Sequence, residues 1–261
     1  MNKIAIIGMG VVGTGMLKYF PDAYRFDEPK RIGLREEVNK CDLAIICVPS
    51  PMNTDGSCDT SIVESVVGWL ETPLIMIKSA VKPGTTDNLI GLTGKHIVVS
   101  TEYMGESSYY IPDRFLDPTN PLKHEFLILG GDDQDCSDVA DIFTPVVGPV
   151  TRIRIMKPIE AEIIKYAENS FFATKVIFDN ELRDICEKLG ANWHRVREGW
   201  LDDPRIGAMH TAVFKERGFG GKCFPKDLNA LISVAKENNF DPILLEAVWK
   251  SNKRYRKEFQ A

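Results

Sequence analysis

The 261-residue chain has no block of concentrated lysine and arginine, and its formal charge is −5. Phosphodiester backbones and anionic membranes are bound by clustered positive charge, so neither nucleic acid nor a membrane surface is an expected partner. No apolar run approaches the roughly 20 residues needed to cross a bilayer. The opening MNKIAIIGMG lacks the basic start, long apolar stretch and small-residue cleavage site of a secretory signal, so a cytoplasmic location is expected. Paired cysteine spacing is missing too. The thiols at 41, 47, 58, 136, 186 and 223 show neither metal-ligand spacing nor the density of a disulfide framework, which predicts reduced cysteines and no metal. Internal repeats and low-complexity tracts are also absent.

What is present is 44% hydrophobic residues, enough for properly buried cores. Short apolar runs recur at Lys3 to Ile7, Leu43 to Val48, Leu74 to Ile77, His96 to Val99 and Phe126 to Leu129, with a shorter one at Ala23 to Phe26. Their alternation with helical stretches predicts βαβ units and a buried parallel sheet, an α/β fold, over residues 1–150. Residues 151–261 are expected to form a helical domain. Pro158 opens an apolar-periodic stretch that runs without Gly or Pro to Gly190, one helix about 48 Å long at 1.5 Å per residue. A small domain cannot cover so long a helix, so a homodimer through 158–190 is expected. Residues 202–227, rich in Gly and Pro, predict a loop, followed by helices over 228–238 and 242–259. The stretch 107–123 predicts a long surface loop.

Gly8, Gly10 and Gly13 form GxGxxG directly after the first strand and at the start of a helix. That arrangement suits a tight turn, close approach of a pyrophosphate to backbone N–H groups, and close helix–strand packing. Asp27 follows Gly10 by 17 residues, at the end of the 23–26 run. An acid there accepts hydrogen bonds from adenosine ribose hydroxyls and repels a 2′-phosphate, which favours NAD over NADP. Asp22 is the alternative acid.

Lys165 and Asn169 stand four residues apart on the long helix and share a face, suited to gripping one small oxygen or to a plain solvated surface. Cys223 sits two residues before Pro225, a residue favoured at the first position of a helix, and Lys222 and Lys226 flank it. A helix start and two cations favour the thiolate. Glu102 and Glu106 follow the strand at 96–99, where ligands of open α/β sheets collect, and are candidates for acid/base work on water.

The segments GFGGKCFPKD, PIEAEIIKYAENSFFATKVIFDNEL, DDPRIG, STEYMGES, VPSPMNTDGSCD and KSAVKPGTT, in this order-specific set, resemble motifs of the UDP-glucose/GDP-mannose dehydrogenase family from Met1 to about Asn252. The resemblance implies a Rossmann-type NAD domain and four-electron oxidation of a nucleotide-sugar C6 alcohol, a UDP-hexose being favoured. It implies Cys223 as nucleophile, Lys165 as oxyanion contact, Asn169 and Asp227 around the catalytic water, and Glu102 as acid/base. Gly8, Gly10, Val11, Val12, Gly13, Asp27, Lys30, Pro49, Ser50 and Glu106 would contact NAD. Arg205, Tyr103, Met104, Phe219 and Gly220 would contact substrate, Arg205 across the dimer. Two departures accompany it: Ala80 replaces the family's threonine, and the family's third, nucleotide-binding domain is not expected in this chain. A two-electron β-hydroxyacid-type dehydrogenase and a non-catalytic NAD-binding dimer are the alternatives.

Overall fold

The computed structural model describes residues 2–104, 120–148 and 150–259. Among these, the chain divides into two compact units, one of residues 1–53 and 58–165 and one of residues 54–57 and 166–261.

The first unit is built on strands β1 (Ile4–Ile7), β2 (Tyr24–Phe26), β3 (Leu43–Ile46), β4 (Leu74–Ile77), β5 (Ile97–Val99), β6 (Phe126–Gly130) and β7 (Arg152–Met156). They form one sheet in the order β2-β1-β3-β4-β5-β6-β7. Successive strand residues point to opposite faces, and here both faces are apolar. Ala5, Ile7, Ala44, Ile46, Ile75 and Ile77 enter one core, and Ile6, Leu43, Ile45, Leu74 and Met76 the other. Burial on both sides is why these strands read as continuous apolar runs rather than alternating ones. Helices α1 (Val11–Met16), α2 (Arg35–Val38), α3 (Ser61–Trp69), α4 (Thr85–Thr93) and α5 (Asp133–Val147) connect them.

Two features depart from the sequence expectation. β6 pairs antiparallel with β5 through Val99 and Gly130, while β7 runs parallel to β6, so the sheet is mostly rather than wholly parallel. An apolar run carries no strand direction. β7, with the sequence RIRIM and exposed residues at 152, 154 and 155, is an edge strand. The first unit continues beyond it to Lys165, within the helix that follows.

Helix α6 (Pro158–Lys188) is the expected long helix. The second unit adds α7 (Trp193–Leu201), α8 (Cys223–Glu237) and α9 (Ile243–Tyr255). Its core joins Ala173 and Ile177 of α6 to Phe219, Leu228, Ile232 and Val248. All six cysteines are free thiols, and no helix among the described residues is long and apolar enough to cross a membrane.

Asp179 of α6 is an exception to the economy of that core. It is fully buried and neither carboxylate oxygen has a hydrogen-bond partner among the described residues. Burial pushes its carboxyl up to about 7, against the pull of Arg197 and Lys175. An unfolded aspartate ionises near pH 4, so stability is lost as pH rises from about 4 through 7. Asp179→Asn is therefore expected to stabilise the protein at pH 8 by about 2 kcal/mol, or roughly 4–8 °C in Tm, with little gain at pH 5. Thermal melts of both proteins at the two pH values check it; equal gains at both would sink the assignment.

Candidate active site

At the carboxyl end of β1 the chain turns on Gly8, whose φ of +92° is a left-handed conformation. A Cβ on Gly8 would lie 2.7 Å from the Cys47 carbonyl oxygen, and one on Gly13 would overlap the Gly8 carbonyl itself. The turn and the first residues of α1 are thus packed backbone on backbone. Gly10, the N-cap of α1, has open space where its Cβ would be. The first N–H groups of a helix, here those of Val11 and Val12, have no partner within it, and no acidic residue occupies this first turn. Donors, an open face and no opposing charge fit a dinucleotide pyrophosphate.

Asp27, just past β2, rather than the exposed Asp22, lies beside this turn. It accepts the Met9 N–H at 2.8 Å and the Lys30 N–H at 3.0 Å, with Lys30 Nζ 3.6 Å away. Burial opposes its charge, but the two N–H donors and Lys30 outweigh it and hold the carboxyl below its usual range. A carboxylate oxygen accepts more than one hydrogen bond, so the ionised group retains capacity for a ribose. Lys30 Nζ also donates to the Met9 carbonyl. Beyond β3, Pro49 is exposed, and the buried Ser50 donates its hydroxyl to the Ala80 carbonyl at 2.6 Å. Ser79 donates to the Val48 carbonyl at 2.7 Å, so its hydroxyl is engaged in joining the β3 and β4 loops.

Glu102 follows β5, with its side chain 8% exposed. Its Oε1 accepts the N–H groups of Tyr103 and Met104 at 2.8 and 3.0 Å, and Lys78 Nζ lies 3.3 Å from Oε2. His124 Nδ1 is 4.0 Å from Oε1. Burial disfavours the carboxylate, yet Lys78, the Tyr103 N–H, His124 and the Met104 N–H together hold the group below its ordinary range. Glu102 is ionised at neutral pH, the state of a base rather than an acid. The Tyr103 ring packs edge-on against Phe126, and Lys165 Nζ lies 4.9 Å from the Tyr103 ring centroid. Met104 fills the space above Gly15 of α1. Lys78 and His124 were not legible as site residues; the only sequence signal for Lys78 is a lysine directly after the apolar run LIMI. Glu106 and residues 107–119 lie outside the described residues. Of the expected surface loop, only 120–123 is described, and its Pro121 carbonyl accepts the Tyr19 hydroxyl.

In the second unit, α8 begins at Cys223 itself, so Pro225 occupies the third helical position rather than the first. Both positions lie in the turn whose N–H groups need no helical acceptor, so proline is tolerated at either. The thiol-bearing residue is half-buried, whereas the other five cysteines are buried. Asp227, one turn along α8, accepts a hydrogen bond from Asn169 Nδ2, and both residues are buried. Lys226 Nζ sits 2.5 Å from the other Asp227 oxygen and 5.3 Å from the Tyr166 ring. Asn169 and Lys165 are one turn apart on α6 as expected.

The loop leading to Cys223 is held by two asparagines absent from the sequence reading. Asn180 accepts the Gly218 N–H at 3.1 Å, while Asn252 accepts the Phe219 N–H at 2.8 Å and donates to its carbonyl at 3.0 Å. Asparagine inside a helix is unfavourable on its own, and that was the available signal. Gly218 has φ +55°, and a Cβ there would meet Asn252 Oδ1 at 2.5 Å. Phe219 packs into the core and its N–H and carbonyl are both bonded to Asn252, so this residue supports the loop rather than offering its ring or backbone to a ligand. At Gly220 a Cβ would overlap the Arg256 guanidinium. Arg205 extends into solvent, 87% exposed, and forks onto Asp203 at 2.6 Å.

Comparison with known proteins matches two successive parts of the chain. The model of the UDP-glucose/GDP-mannose dehydrogenase family NAD binding domain matches residues 30–145, and that of the central domain matches 159–254. A UDP-glucose 6-dehydrogenase of Rickettsia bellii is 32% identical over 256 residues, 92% of this chain and 56% of the relative. One of Bacillus subtilis is 31% identical over 223 residues, 82% and 49%. The chain spans about half the length of these relatives. A solved UDP-glucose dehydrogenase from Pyrobaculum islandicum superposes with a TM-score of 0.82 at 25% identity, covering 97% of this chain and 68% of that one. A 3-hydroxyisobutyrate dehydrogenase of Mycobacterium tuberculosis shares the fold, with a TM-score of 0.68 at 15% identity, covering 98% and 94%.

Proposed function

Since the chain belongs to the UDP-glucose/GDP-mannose dehydrogenase family, we propose that it oxidises the C6 alcohol of a nucleotide sugar, with a UDP-hexose as the favoured substrate, to the uronic acid. The observation that carries this reading is Cys223, a half-buried thiol at the first residue of α8, in the same unit as the hydrogen-bonded Asn169 and Asp227. NAD, when bound at the glycine turn, accepts one hydride in each of two oxidations. Val11 and Val12 would hold its diphosphate by their N–H groups, and Asp27 its ribose.

The chain's own groups divide the remaining work. Lys165 steadies the oxygen on C6 as the hydroxyl proton passes to solvent water and the C6 hydride to the cofactor. An aldehyde has no C–H bond suited to hydride loss until a nucleophile adds, and the Cys223 thiolate supplies that addition. The thiohemiacetal loses the second hydride and becomes a thioester. Water, held by Asn169 and Asp227 and deprotonated with Glu102 as base, then adds to the thioester carbon, and the Cys223 sulfur leaves with the acid released. Glu102, held ionised by Lys78 and two N–H groups, is available for that task without prior proton loss. Ala80 has no hydroxyl, which leaves the water to the asparagine and the aspartate.

A homodimer completes the reading. Phe171, Phe178 and Ile185 recur every seven residues on α6 and are 61, 54 and 53% exposed. Such a stripe suits a second copy of the helix, and the exposed Arg205, which pairs with Asp203 in its own chain, would exchange that partner for a neighbour's substrate. The test is an NADH assay with UDP-glucose, UDP-N-acetylated hexoses, GDP-mannose and simple hydroxy acids, counting NADH per substrate consumed, with the molar mass measured by light scattering. Close to two NADH per substrate and a mass of two chains are expected. One NADH on a hydroxy acid identifies the two-electron chemistry, and NAD binding without turnover on any of them leaves a non-catalytic NAD-binding dimer.

A further inference from the structure

Glu162 lies in the second turn of α6 and has no part in the chemistry above. Its side chain is completely buried, and both carboxylate oxygens face the start of α4. Oε2 accepts the Gly84 N–H at 2.6 Å; Oε1 accepts the Thr86 N–H at 2.9 Å and the Thr86 hydroxyl at 2.7 Å. Gly84 is the N-cap of α4 and offers no side chain of its own. A carboxylate more than 70 residues away in sequence therefore does what a local serine or aspartate usually does at a helix start.

These bonds close a circuit through the first unit. Gly84 ends the segment that begins at Lys78, and Lys78 pairs with Glu102 at 3.3 Å. Glu102 accepts the N–H of Tyr103, and the Tyr103 ring lies 4.9 Å from Lys165 Nζ. Lys165 is three residues along α6 from Glu162, less than one turn. The start of α6 is itself seated on the sheet at Gly130, where a Cβ would lie 2.7 Å from the Ala161 Cβ and 2.9 Å from the Pro158 Cα.

We propose that Glu162 is a positioning residue: by clamping the first turn of α4 to α6, it holds Lys165 and the Lys78–Glu102 pair in one frame. This rests on the oxidation proposed above, since that reading gives Lys165 and Glu102 their tasks. An apolar residue of equal volume would fill the same space, but only an acceptor fixes α4 in register along α6. Burial pushes the Glu162 carboxyl up to about 7, while the Thr86 and Gly84 donors pull it down and Asp87 adds to the rise. A group kept in so costly a setting is doing more than packing.

The test pairs a kinetic readout with one independent of turnover. Glu162→Ala is expected to lower kcat by about 100-fold, the scale of a displacement of about 1 Å between reacting groups, while KM for NAD stays within about twofold. Glu162→Gln, which keeps one acceptor, is expected to retain about a tenth of the activity. Separately, lysines are reductively methylated with 13C-formaldehyde, and the Lys165 methyl signal is assigned by its loss in Lys165→Arg. In the otherwise unchanged protein that signal is expected upfield, shifted by the Tyr103 ring current; in Glu162→Ala it is expected to move to the position of an exposed lysine. A lower Tm with the Lys165 signal and kcat unchanged overturns the proposal and leaves Glu162 a structural cap. If Glu162→Ala does not fold, Thr86→Val removes one of the three bonds at constant volume and carries the same test. If the unsubstituted protein makes no NADH, the oxidation reading fails, whereas the position of the Lys165 signal still decides the role of Glu162.

Discussion

Cys223→Ala is expected to abolish uronic acid formation, lowering the rate by about 1,000-fold or more, the scale seen when a covalent nucleophile is removed. The first oxidation needs no thiol, so a trace of aldehyde and up to one NADH per substrate can persist. The second cannot proceed without an adduct at the aldehyde carbon. No other cysteine can take over, because the remaining five are buried and belong to other elements. Burial, the largest cause, pushes the thiols of Cys47 and Cys136 upward, the latter to about 12; nearby acids add to both, and Lys78 only partly opposes the rise at Cys47, which favours the inert thiol. Mass spectrometry of the product with a parallel NADH trace checks the expectation. Unchanged acid production would remove Cys223 from the mechanism and with it the four-electron reading.

Gly13→Ala is expected to cost the protein roughly 1–3 kcal/mol by overpacking and to weaken NAD binding by about 100-fold, since displacing two N–H donors that face an anion forfeits about 3 kcal/mol. The cause is local. A methyl group at 13 would overlap the Gly8 carbonyl, and Gly8 is itself pinned against the Cys47 carbonyl with φ +92°, so neither side of the contact can yield. Gly10→Ala is the control, because its Cβ would meet nothing and its φ of −83° suits any residue. Stability should therefore hold at Gly10→Ala while affinity falls, as the methyl group occupies the open face of the turn. NAD titration by tryptophan fluorescence together with thermal melting separates the two effects. Full NAD affinity in Gly13→Ala would mean that the cofactor does not sit on this turn.

Much of the site was readable before the fold. Gly8, Gly10 and Gly13 state their own backbone requirements, and Asp27 lies where the spacing placed it. Cys223 stands at a helix start as its surroundings suggested, although the helix begins two residues earlier than Pro225 implied. The supporting groups were not readable. Lys78, His124, Asn180 and Asn252 act on residues between 22 and 38 positions away, and the local signals, a lysine after an apolar run and asparagines within helices, do not name those partners. The limit between the two compact units falls within α6, where a continuous helix shows no break in composition.

The sequence by itself determined the elements whose physics is local: strands buried on both faces, a helix of 31 residues with one periodic pattern, and a glycine turn that tolerates nothing larger. Only the tertiary structure decided the antiparallel approach of β6 to β5, the ionised state of Glu102 and the capping of α4 by Glu162. Strand direction leaves no trace in an apolar run, and a carboxyl group's charge depends on which donors the fold carries to it. In Glu162 and Glu102, the same residue type is driven in opposite directions, up to about 7 in the first and below its usual range in the second, because a lysine reaches one and only neutral donors reach the other.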